Sequence, residues 1–378
     1  MIYLDNAATT KMCAPALSAL VKISKNQYGN ASAVYGYGRK AKELLEEARG
    51  IIAQCIGADA DEVFFTSGGT ESDNWVVNRA NGCVDRIIVS EIEHHAILHP
   101  TERLKSDNVD VCFLPVNSGC NVETDALEAV LDGRKVLASV MMQNNETGVI
   151  QDISSLAAIV HKYNPDSFFH TDAVQAVGHR KISVHELGVD MLSASAHKFN
   201  GPKGVGFLFI RRDCQLPSFI LGGGQERGLR SGTENIAGIY SMAKALEENV
   251  ALIEENEKHI QTLETLFLSE LSKSGISYEI NGDVSKKAAG IINISIEGAD
   301  GEGILNMLDM HDICVSIGSA CNSKSKEQSH VLLAMGIDED KIDSSIRISI
   351  GRYNKKEEII ELVKCIKKYY ELSNIART

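Results

Sequence analysis

The sequence predicts an α/β protein with a large lobe built on a doubly wound, mostly parallel sheet and a smaller α/β lobe after it. Three observations predict this fold. The 378 residues, 44% hydrophobic and 24% charged, are enough for one large core and a smaller second one. From about residue 60, short β-branched runs alternate with helix-like stretches, which is typical of crossover units on a parallel sheet. After Gly238 the alternation gives way to a long charged helical stretch and a second group of strands.

In the large lobe, each expected strand is a short apolar run bounded by polar or turn-forming residues. These runs are residues 62–66, 86–90, 109–114, 136–141, 167–170 and 205–210. Between them, stretches such as 125–131 and 153–163 carry apolar residues at helical spacing. The pattern therefore predicts strands and helices in alternation, with the helices covering the sheet.

The smaller lobe is predicted to begin with one long helix, residues 239–274, which joins the two lobes. The elements expected after it are strands at 276–280, 290–296 and 346–350, a helix at 301–310 and a last helix from Lys355. We expect a boundary near residue 255, which assigns 12–255 to the large lobe and 1–11 with 256–378 to the small lobe. Since no repeat or Pro-rich linker separates them, the lobes are expected to pack together.

Charge and hydropathy narrow the functional classes. Lys and Arg total 38 against 51 Asp and Glu, a net charge of -13, and no basic run is interleaved with aromatic residues. Direct nucleic-acid binding is not expected, because phosphate neutralisation needs a basic surface. No apolar run is long enough to cross a bilayer, and no basic segment followed by an apolar stretch opens the chain, so we expect no membrane association and a cytoplasmic location.

The cysteines do not form a recognisable framework. There are nine, an odd number, scattered along the chain without a CxxC spacing that would indicate a zinc site or a redox pair. We therefore expect no resident metal, and most of the thiols should behave as small buried hydrophobic groups.

A candidate anion site follows the first strand of the large lobe. The segment Ser67-Gly68-Gly69-Thr70-Glu71 leads from that strand into a helical stretch, which places backbone N–H groups and hydroxyls at a helix N-terminus. An ordinary strand-to-helix turn would explain this segment equally well.

A candidate covalent site lies at Lys198. This lysine follows His197 on a small-residue segment that starts at Ser193 and leads towards a strand. An amine whose charged form is disfavoured by burial or by a nearby cation can form a Schiff base with a carbonyl group. The alternative is an ordinary surface lysine, in which case Lys203 is an equally good candidate.

Three further polar groups follow predicted strands, at the sheet edge where ligands of open α/β sheets collect. Asp172 could hold a protonated pyridine nitrogen, or it could merely cap a helix. His94 could stack on a flat ring and move protons, although a solvated loop histidine or a weak metal site with His95 and His99 are alternatives. Asn145 could bind cofactor or substrate oxygens, or belong to an Asn-rich turn. Together with the phosphate cradle and the lysine, these groups predict a pyridoxal phosphate site.

The sequence resembles the NifS/IscS-type cysteine desulfurases of the class V aminotransferase family. The resemblance extends from residue 3 to residue 351 through the segments 65–74, 144–148, 170–175, 223–226 and 230–233. It implies fold type I of the pyridoxal phosphate-dependent transferases, with a seven-stranded, mostly parallel sheet in the large lobe. It also implies a homodimer, because Thr233 would reach the cofactor phosphate of the other subunit.

Position by position, the resemblance assigns roles around the cofactor. It implies that Lys198 is the Schiff-base lysine, Asp172 the partner of the pyridine nitrogen and His94 the stacking acid–base group. Gln175 would donate a hydrogen bond to the ring hydroxyl oxygen, and Asn145 would contact cofactor or substrate. The residues implied to hold the cofactor phosphate are Gly69, Thr70, Ser195 and His197, and those implied to bind the substrate carboxylate are Asn6 and Arg347.

Cys321 is the cysteine whose surroundings indicate a function. The residues from Gly318 to His330 are polar, rich in small side chains and include two lysines, which predicts a reactive thiol on an exposed loop. The resemblance makes Cys321 the nucleophile that takes sulfur from L-cysteine, leaves L-alanine and keeps the sulfur as a persulfide. It also implies delivery to an acceptor such as an iron–sulfur scaffold protein, with Cys321 as a transient iron–sulfur ligand.

Several residues depart from the family pattern. Ala31, Ala33 and Tyr35 stand where the family usually has Pro, Ser and His in a GNPSSxH motif, and Met142-Gln143 stands where a His-Val pair is frequent. These departures concern the lining of the substrate pocket. An aminotransferase or selenocysteine lyase of the same fold, and a non-catalytic sulfur carrier, remain alternative interpretations, and the sequence leaves the sulfur acceptor open.

Overall fold

The computed structural model describes residues 1–318 and 328–375. Its central feature is a seven-stranded sheet with the strand order β2-β8-β7-β6-β5-β3-β4. The strands are β2 (Val63–Thr66), β3 (Arg86–Ser90), β4 (Val111–Leu114), β5 (Val136–Ser139), β6 (Phe168–Asp172), β7 (Met191–Ser195) and β8 (Gly206–Ile210). Their residues are almost all buried, as expected for a sheet covered by helices on both faces.

The strand directions explain where polar side chains can meet. β3 to β7 run parallel to their neighbours, whereas β8 is antiparallel to both β2 and β7. The carboxyl ends of β2, β3, β5, β6 and β7 therefore lie at the same edge of the sheet. This is the edge at which ligands of open α/β sheets bind.

Helices cover this sheet and continue into the rest of the chain. Those of the first part are α1 (Ala14–Asn26), α2 (Gly36–Ile56), α3 (Gly69–Ala80), α4 (His95–Ser106), α5 (Thr124–Val130), α6 (Ile153–Tyr163), α7 (Val184–Leu187) and α8 (Ile236–Ala251). Those that follow are α9 (Ile253–Lys273), α10 (Gly301–Asp309), α11 (His330–Ala334), α12 (Glu339–Asp343) and α13 (Lys356–Ile375). Among the residues described, no helix is both long and apolar enough to cross a membrane.

A second, smaller group of strands packs on its own apolar core. An antiparallel sheet has the order β12-β10-β9, formed by Ser345–Ser349, Ile291–Ile296 and Tyr278–Ile280. The N-terminal strand β1 (Ile2–Tyr3) pairs in parallel with β11 (Ile313–Cys314). Leu4 accordingly packs in the same apolar cluster as side chains of α9, α10 and α13, so the chain begins beside its C-terminal elements.

The predicted α/β fold with a mostly parallel seven-stranded sheet is confirmed, and two details differ. Strand β7 was not expected, because its sequence MLSAS has small side chains in place of β-branched ones. The helix predicted at 239–274 is two helices, because Leu252, with φ -110° and ψ 10°, leaves the helical conformation between α8 and α9. The lobe boundary predicted near residue 255 falls in the first turn of α9 and stays a prediction.

Candidate active site

A cavity of about 1020 Å³, including its open mouth, lies at the carboxyl edge of the large sheet. Most of the residues predicted to form a site line it. They are Gly69, Thr70, His94, Asn145, Asp172, Gln175, Ser195, His197, Lys198 and Arg347. Side chains from five separate strand ends and from β12 therefore meet in one place, although they are spread over most of the sequence.

The N-terminus of α3 forms one wall of this cavity. Gly69 is the first residue of the helix, and a Cβ atom at this position would come within 2.7 Å of a Val174 methyl group, so that the close approach requires glycine. Ser195, at the end of β7, and His197 line the cavity together with Thr70. A helix N-terminus next to a hydroxyl and an imidazole is suited to an anion such as a phosphate.

Lys198 ends a short 3₁₀ turn (Ala196–Lys198) after β7 and points its amine to the N-terminal segment of the chain. Its Nζ donates hydrogen bonds to the carbonyl oxygens of Ala7 at 2.5 Å and Ala8 at 2.9 Å. Lys203, the other candidate, is exposed and does not line the cavity. The geometry therefore favours Lys198 as the amine available to a bound carbonyl group.

Asp172 lies at the end of β6 and is 5% exposed. Burial raises the pKa of its carboxyl to about 6, against the opposing effects of a hydrogen bond from the Val174 N–H and of the Lys198 charge. That hydrogen bond, 2.9 Å long, closes a turn rather than capping a helix, because the next helix begins only at Val184. Gln175 lies beside Asp172 in the cavity lining, and its Nε2 donates to the carbonyl oxygen of Ala7 at 2.9 Å.

His94 caps the N-terminus of α4, where its Nδ1 accepts a hydrogen bond from the N–H of Ala96 at 3.1 Å. Burial, with a smaller effect from the nearby Lys198 charge, lowers the pKa of His94 to about 4. Its imidazole is therefore neutral at pH 7. His95 and His99 stack on each other at 4.6 Å outside this cavity, and no cluster in the described ranges 1–318 and 328–375 could hold a metal ion.

Arg347, on β12, brings a buried cation to the cavity lining. Its side chain is 1% exposed, with Nη1 donating to the carbonyl oxygen of Asn145 at 3.0 Å and Nη2 to the Asp5 carboxylate at 2.7 Å. The remaining nitrogen, Nε, is buried without a partner among the described residues. This guanidinium is thus held in place with donor capacity left over, which suits a carboxylate.

Three predicted residues do not join this cavity. Asn6 lines a neighbouring cavity, where its Nδ2 donates to the carbonyl oxygen of Ser349 at 2.8 Å and to the Asn354 side chain at 3.2 Å. The structure thus gives the Asn6 amide partners within the chain, and its role as a substrate contact stays a prediction. Thr233 is exposed and away from the cavity of its own chain. Cys321 lies outside the described residues.

None of the eight described cysteines lines the cavity. Burial raises the pKa of the Cys13 and Cys55 thiols to about 11, and that of the Cys120 and Cys214 thiols to about 12. A thiol with a raised pKa is seldom ionised at neutral pH and is a poor nucleophile. These four thiols are therefore structural.

Two polar residues of the cavity lining have no counterpart among the predicted site residues. Asp73, in α3, is 1% exposed, and Gln143, before Asn145, is 4% exposed. Both have a buried side-chain oxygen without a hydrogen-bond partner in the described part of the chain. A signal was available for Asp73, since it lies four residues after Gly69 and therefore on the same face of α3.

The chain is similar to known proteins along almost its whole length. Residues 2–362 match the class-V aminotransferase family. The chain is 41% identical to a cysteine desulfurase IscS from Dictyoglomus turgidum, over 95% of this chain and 91% of that protein. The solved structure of a NifS-like protein superimposes with a TM-score of 0.92 at 35% identity, covering 98% of this chain and 99% of that one. The structure titled SspA in complex with cysteine superimposes with a TM-score of 0.83 at 29% identity, over 94% of this chain and 100% of that one.

Proposed function

Because the chain belongs to the class-V aminotransferase family and, within it, to the NifS/IscS-type cysteine desulfurases, we propose that it uses pyridoxal 5'-phosphate to convert L-cysteine to L-alanine. The sulfur would pass to Cys321 as a persulfide and then to an acceptor protein. One observation carries the proposal: Lys198 and Asp172 line the same cavity as the N-terminus of α3. These are an amine, an acid and an anion site, the three groups that this cofactor requires.

The cavity fits the cofactor in its charges as well as in its groups. Gly69, Thr70, Ser195 and His197 would hold the phosphate at the N-terminus of α3, where Gly69 packs closely against Val174. Lys198 would hold the cofactor covalently through its amine. When bound, the cofactor would supply an electron sink for negative charge at the substrate Cα, provided that an acid such as Asp172 keeps its ring nitrogen protonated.

The chain's own groups account for substrate binding and proton movement. Arg347 would bind the carboxylate of L-cysteine with its remaining donor capacity, while the contact to Asp5 keeps the guanidinium in place. Lys198 would take the proton from the substrate Cα and later return it. His94, neutral at pH 7, would lie against the cofactor ring and, with Nδ1 accepting from the Ala96 N–H, would carry on Nε2 the proton that it could donate.

Sulfur transfer is proposed to be a thiol reaction with a simple balance. The thiolate of Cys321 would attack the sulfur of bound L-cysteine, forming an S–S bond as the Cβ–S bond breaks, and the Cβ atom would take a proton to give L-alanine. The proposal is supported by the described residues on both sides of segment 319–327, because each is bonded to a residue of the cavity lining or to its neighbour in sequence. Ser316 pairs with Arg347 through backbone hydrogen bonds, and Ser329 Oγ donates to the buried Glu146 carboxyl at 2.5 Å.

The test is the fate of sulfur in the purified protein. Incubation with L-cysteine should yield L-alanine and add one sulfur atom, ~32 Da, to the peptide that contains Cys321. Cys321→Ser should bind the cofactor normally but release neither sulfide nor alanine. The matched control Cys314→Ser, at a half-buried thiol whose pKa is raised by burial, should retain activity. Persulfide on another cysteine, or full activity of Cys321→Ser, would exclude the proposed nucleophile.

The same incubation separates the competing functions. An aminotransferase would release a keto acid in place of alanine, and a non-catalytic sulfur carrier would release neither. A selenocysteine lyase would act on selenocysteine and leave L-cysteine unchanged. The full proposal therefore requires alanine and persulfide in equal amounts during the first turnover.

The proposal includes a homodimer in which Thr233 of each subunit reaches the cofactor phosphate in the site of the other. This residue is exposed and absent from the cavity of its own chain, which leaves it available to a second subunit. Thr233→Ala should weaken cofactor binding without changing the oligomeric state, measured by cofactor titration and by light scattering. Unchanged affinity would remove Thr233 from the site.

A further inference from the structure

Asp73 is a buried acid that the proposed reaction does not use. It lies in α3, is 1% exposed, and shares the lining of the cavity with Asp172. Its Oδ1 has no hydrogen-bond partner in the described part of the chain, and the neighbouring Ser193 hydroxyl lowers the pKa of its carboxyl against the larger effect of burial. An ionised carboxylate with an unpartnered oxygen is costly to bury, so that the charge on Asp73 needs either a nearby cation or a proton.

The nearest basic side chain cannot provide that cation. His170 Nε2 lies 3.8 Å from Asp73 Oδ1, but His170 is fully buried, and burial lowers its pKa to about 3. The imidazole is instead part of a neutral chain of hydrogen bonds across three strands. Its Nδ1 lies 2.9 Å from Ser139 Oγ, and its Nε2 lies 2.9 Å from Ser193 Oγ.

The strand register explains why these hydrogen-bonded side chains lie close to the cavity residue Asp172. His170 and Asp172 are two residues apart on β6 and therefore project from the same face of the sheet. Ser139 is paired with His170 on one side, and Ser193 is paired with Asp172 on the other. Ser193 thus connects the imidazole to Asp73 on the overlying helix, next to the carboxyl of Asp172.

Repulsion between neighbouring carboxylates determines which of the buried acids is ionised. Three buried acids lie near one another, since both the Asp172 and the Glu93 charges act on Asp73. Burial, followed by the Asp172 charge, raises the pKa of Asp73 well above its ordinary value, and burial raises that of Glu93 to about 8. Asp172 alone among these three is stabilised as an anion by the Lys198 charge. Neighbouring carboxyls in a dry site cannot all ionise.

We propose that Asp73 is a positioning residue for Asp172: it holds a proton at neutral pH and leaves Asp172 to carry the negative charge that faces the cofactor's ring nitrogen. The proton lets the carboxyl of Asp73 donate to Ser193 Oγ, the Ser193 hydroxyl donate to His170 Nε2, and His170 Nδ1–H donate to Ser139 Oγ. The contacts of His170 with Ser193 and Ser139 then need no second charge. This inference rests on the proposed function only for the identity of the ring.

Infrared spectroscopy tests the proton directly. Protein labelled with carbon-13 at the aspartate carboxyls should show, at pH 7, a protonated carboxyl band that moves with the label and with deuterium exchange. The band should disappear in Asp73→Asn and persist in the matched control Asp166→Asn, which changes an exposed aspartate. It should be present before and after pyridoxal phosphate is added. A wild-type protein without this band, or a band that survives in Asp73→Asn, would overturn the inference.

Cofactor titration tests whether the proton matters for Asp172. The Asn amide keeps a neutral donor towards Ser193, so that Asp73→Asn should bind pyridoxal phosphate within about threefold of wild type and keep the pH dependence of its absorbance. Asp73→Leu cannot donate and should lose at least about tenfold in affinity. If Asp73→Asn loses as much affinity for pyridoxal phosphate as Asp73→Leu, Asp73 acts as an anion. If Asp73→Leu binds the cofactor as well as wild type, Asp73 has no positioning role. A protein that shows the band yet binds no cofactor would instead contradict the proposed function.

Discussion

Glu226 and Asp73 are both buried carboxyl groups of the large lobe, but their surroundings are opposite. Glu226 is 6% exposed and receives hydrogen bonds from both terminal nitrogens of Arg49 at 2.8 Å and from the N–H of Phe65 at 2.9 Å. Asp73, under the cavity, has an oxygen without a partner in the described residues, and so has its neighbour Glu93. The first arrangement is complete within the chain, and the second is not.

The difference shows how a buried charge can mark a site. A buried carboxylate with a purely structural role is paired with a cationic side chain of the same protein, because an unpaired buried charge would destabilise the fold. At the cavity the chain brings acids together and leaves them to be neutralised by protons or by a bound group. The raised pKa of Asp172 is the consequence for the residue that would face a cationic ring nitrogen.

The largest effect on the free energy of unfolding is expected when the buried ion pair between Glu226 and Arg49 is broken. Glu226→Gln leaves the Arg49 guanidinium, 3% exposed, with only the half-exposed Glu46 carboxylate at 3.2 Å, and should lower the free energy of unfolding by up to about 3–5 kcal/mol. Glu226 also has a positive φ angle, which its contacts with Arg49 help to maintain. Urea denaturation measures the loss.

The exposed ion pair of Arg212 with Asp61 provides the matched control. Asp61→Asn should leave the denaturation midpoint nearly unchanged, since water replaces the lost partner. An equal loss in both variants would show that burial does not distinguish these pairs.

A smaller effect on stability, of opposite sign, is expected at Asp172. Because its folded pKa is raised above the unfolded value, the native state retains a proton that the unfolded state has lost, and stability falls as pH rises from about 4 to about 6. Asp172→Asn removes this penalty and should raise the free energy of unfolding of the cofactor-free protein at pH 7 by roughly 3 kcal/mol. The amide oxygen can still accept from the Val174 N–H.

The same variant should lose alanine formation by on the order of 10²–10³-fold, because a neutral amide does not hold a ring nitrogen protonated. Asp166→Asn, at an exposed position, is the control for both measurements. A variant that is neither more stable nor slower would make Asp172 an ordinary turn residue, which is the alternative that the sequence left open.

The sequence predicted those parts of the fold and site whose signals are local. Residues 87–89 are three consecutive β-branched apolar residues between Arg86 and Ser90, and the observed strand has the predicted bounds 86–90. Lys198 and Asp172 were found because a lysine after a small-residue segment and an acid after a buried strand are unusual residue types at those positions. Strand β7 was missed because its small polar residues are buried by neighbouring strands, which no local pattern reveals.

Contacts between distant segments account for the remaining differences at the site. Asn6 was expected beside the substrate, but its amide hydrogen bonds to Ser349, 343 residues away, and pins the N-terminal segment to β12. Asp73 was overlooked because its importance depends on His170 and Ser193, which the sheet brings under α3. Long-range pairing decides the surroundings of such residues, and residue type alone does not.

The smallest effect concerns the pH dependence of stability and compares a buried base with the buried acids. Burial lowers the pKa of His170 to about 3, below its unfolded value near 6.5, so the unfolded state binds one more proton in this interval. Stability should therefore be fully present above pH 6.5 and decline as the pH falls towards 4, in the direction opposite to the effect of Asp172. His94 and His197, whose pKa values are both lowered to about 4, add to the decline.

Replacing His170 isolates its share of that decline. His170→Gln should reduce the slope of unfolding free energy against pH between 6 and 5 by up to about 1.4 kcal/mol per pH unit, the value for one proton. The slope is informative even though the variant also loses contacts to Ser139 and Ser193, because lost hydrogen bonds shift the whole curve without changing its gradient. Urea denaturation of the cofactor-free protein at several pH values measures it, with the exposed His185→Gln as control. An unchanged slope would mean that His170 is protonated in the native state, and the neutral hydrogen-bond chain beneath the cavity would then have to be replaced by an ion pair with Asp73.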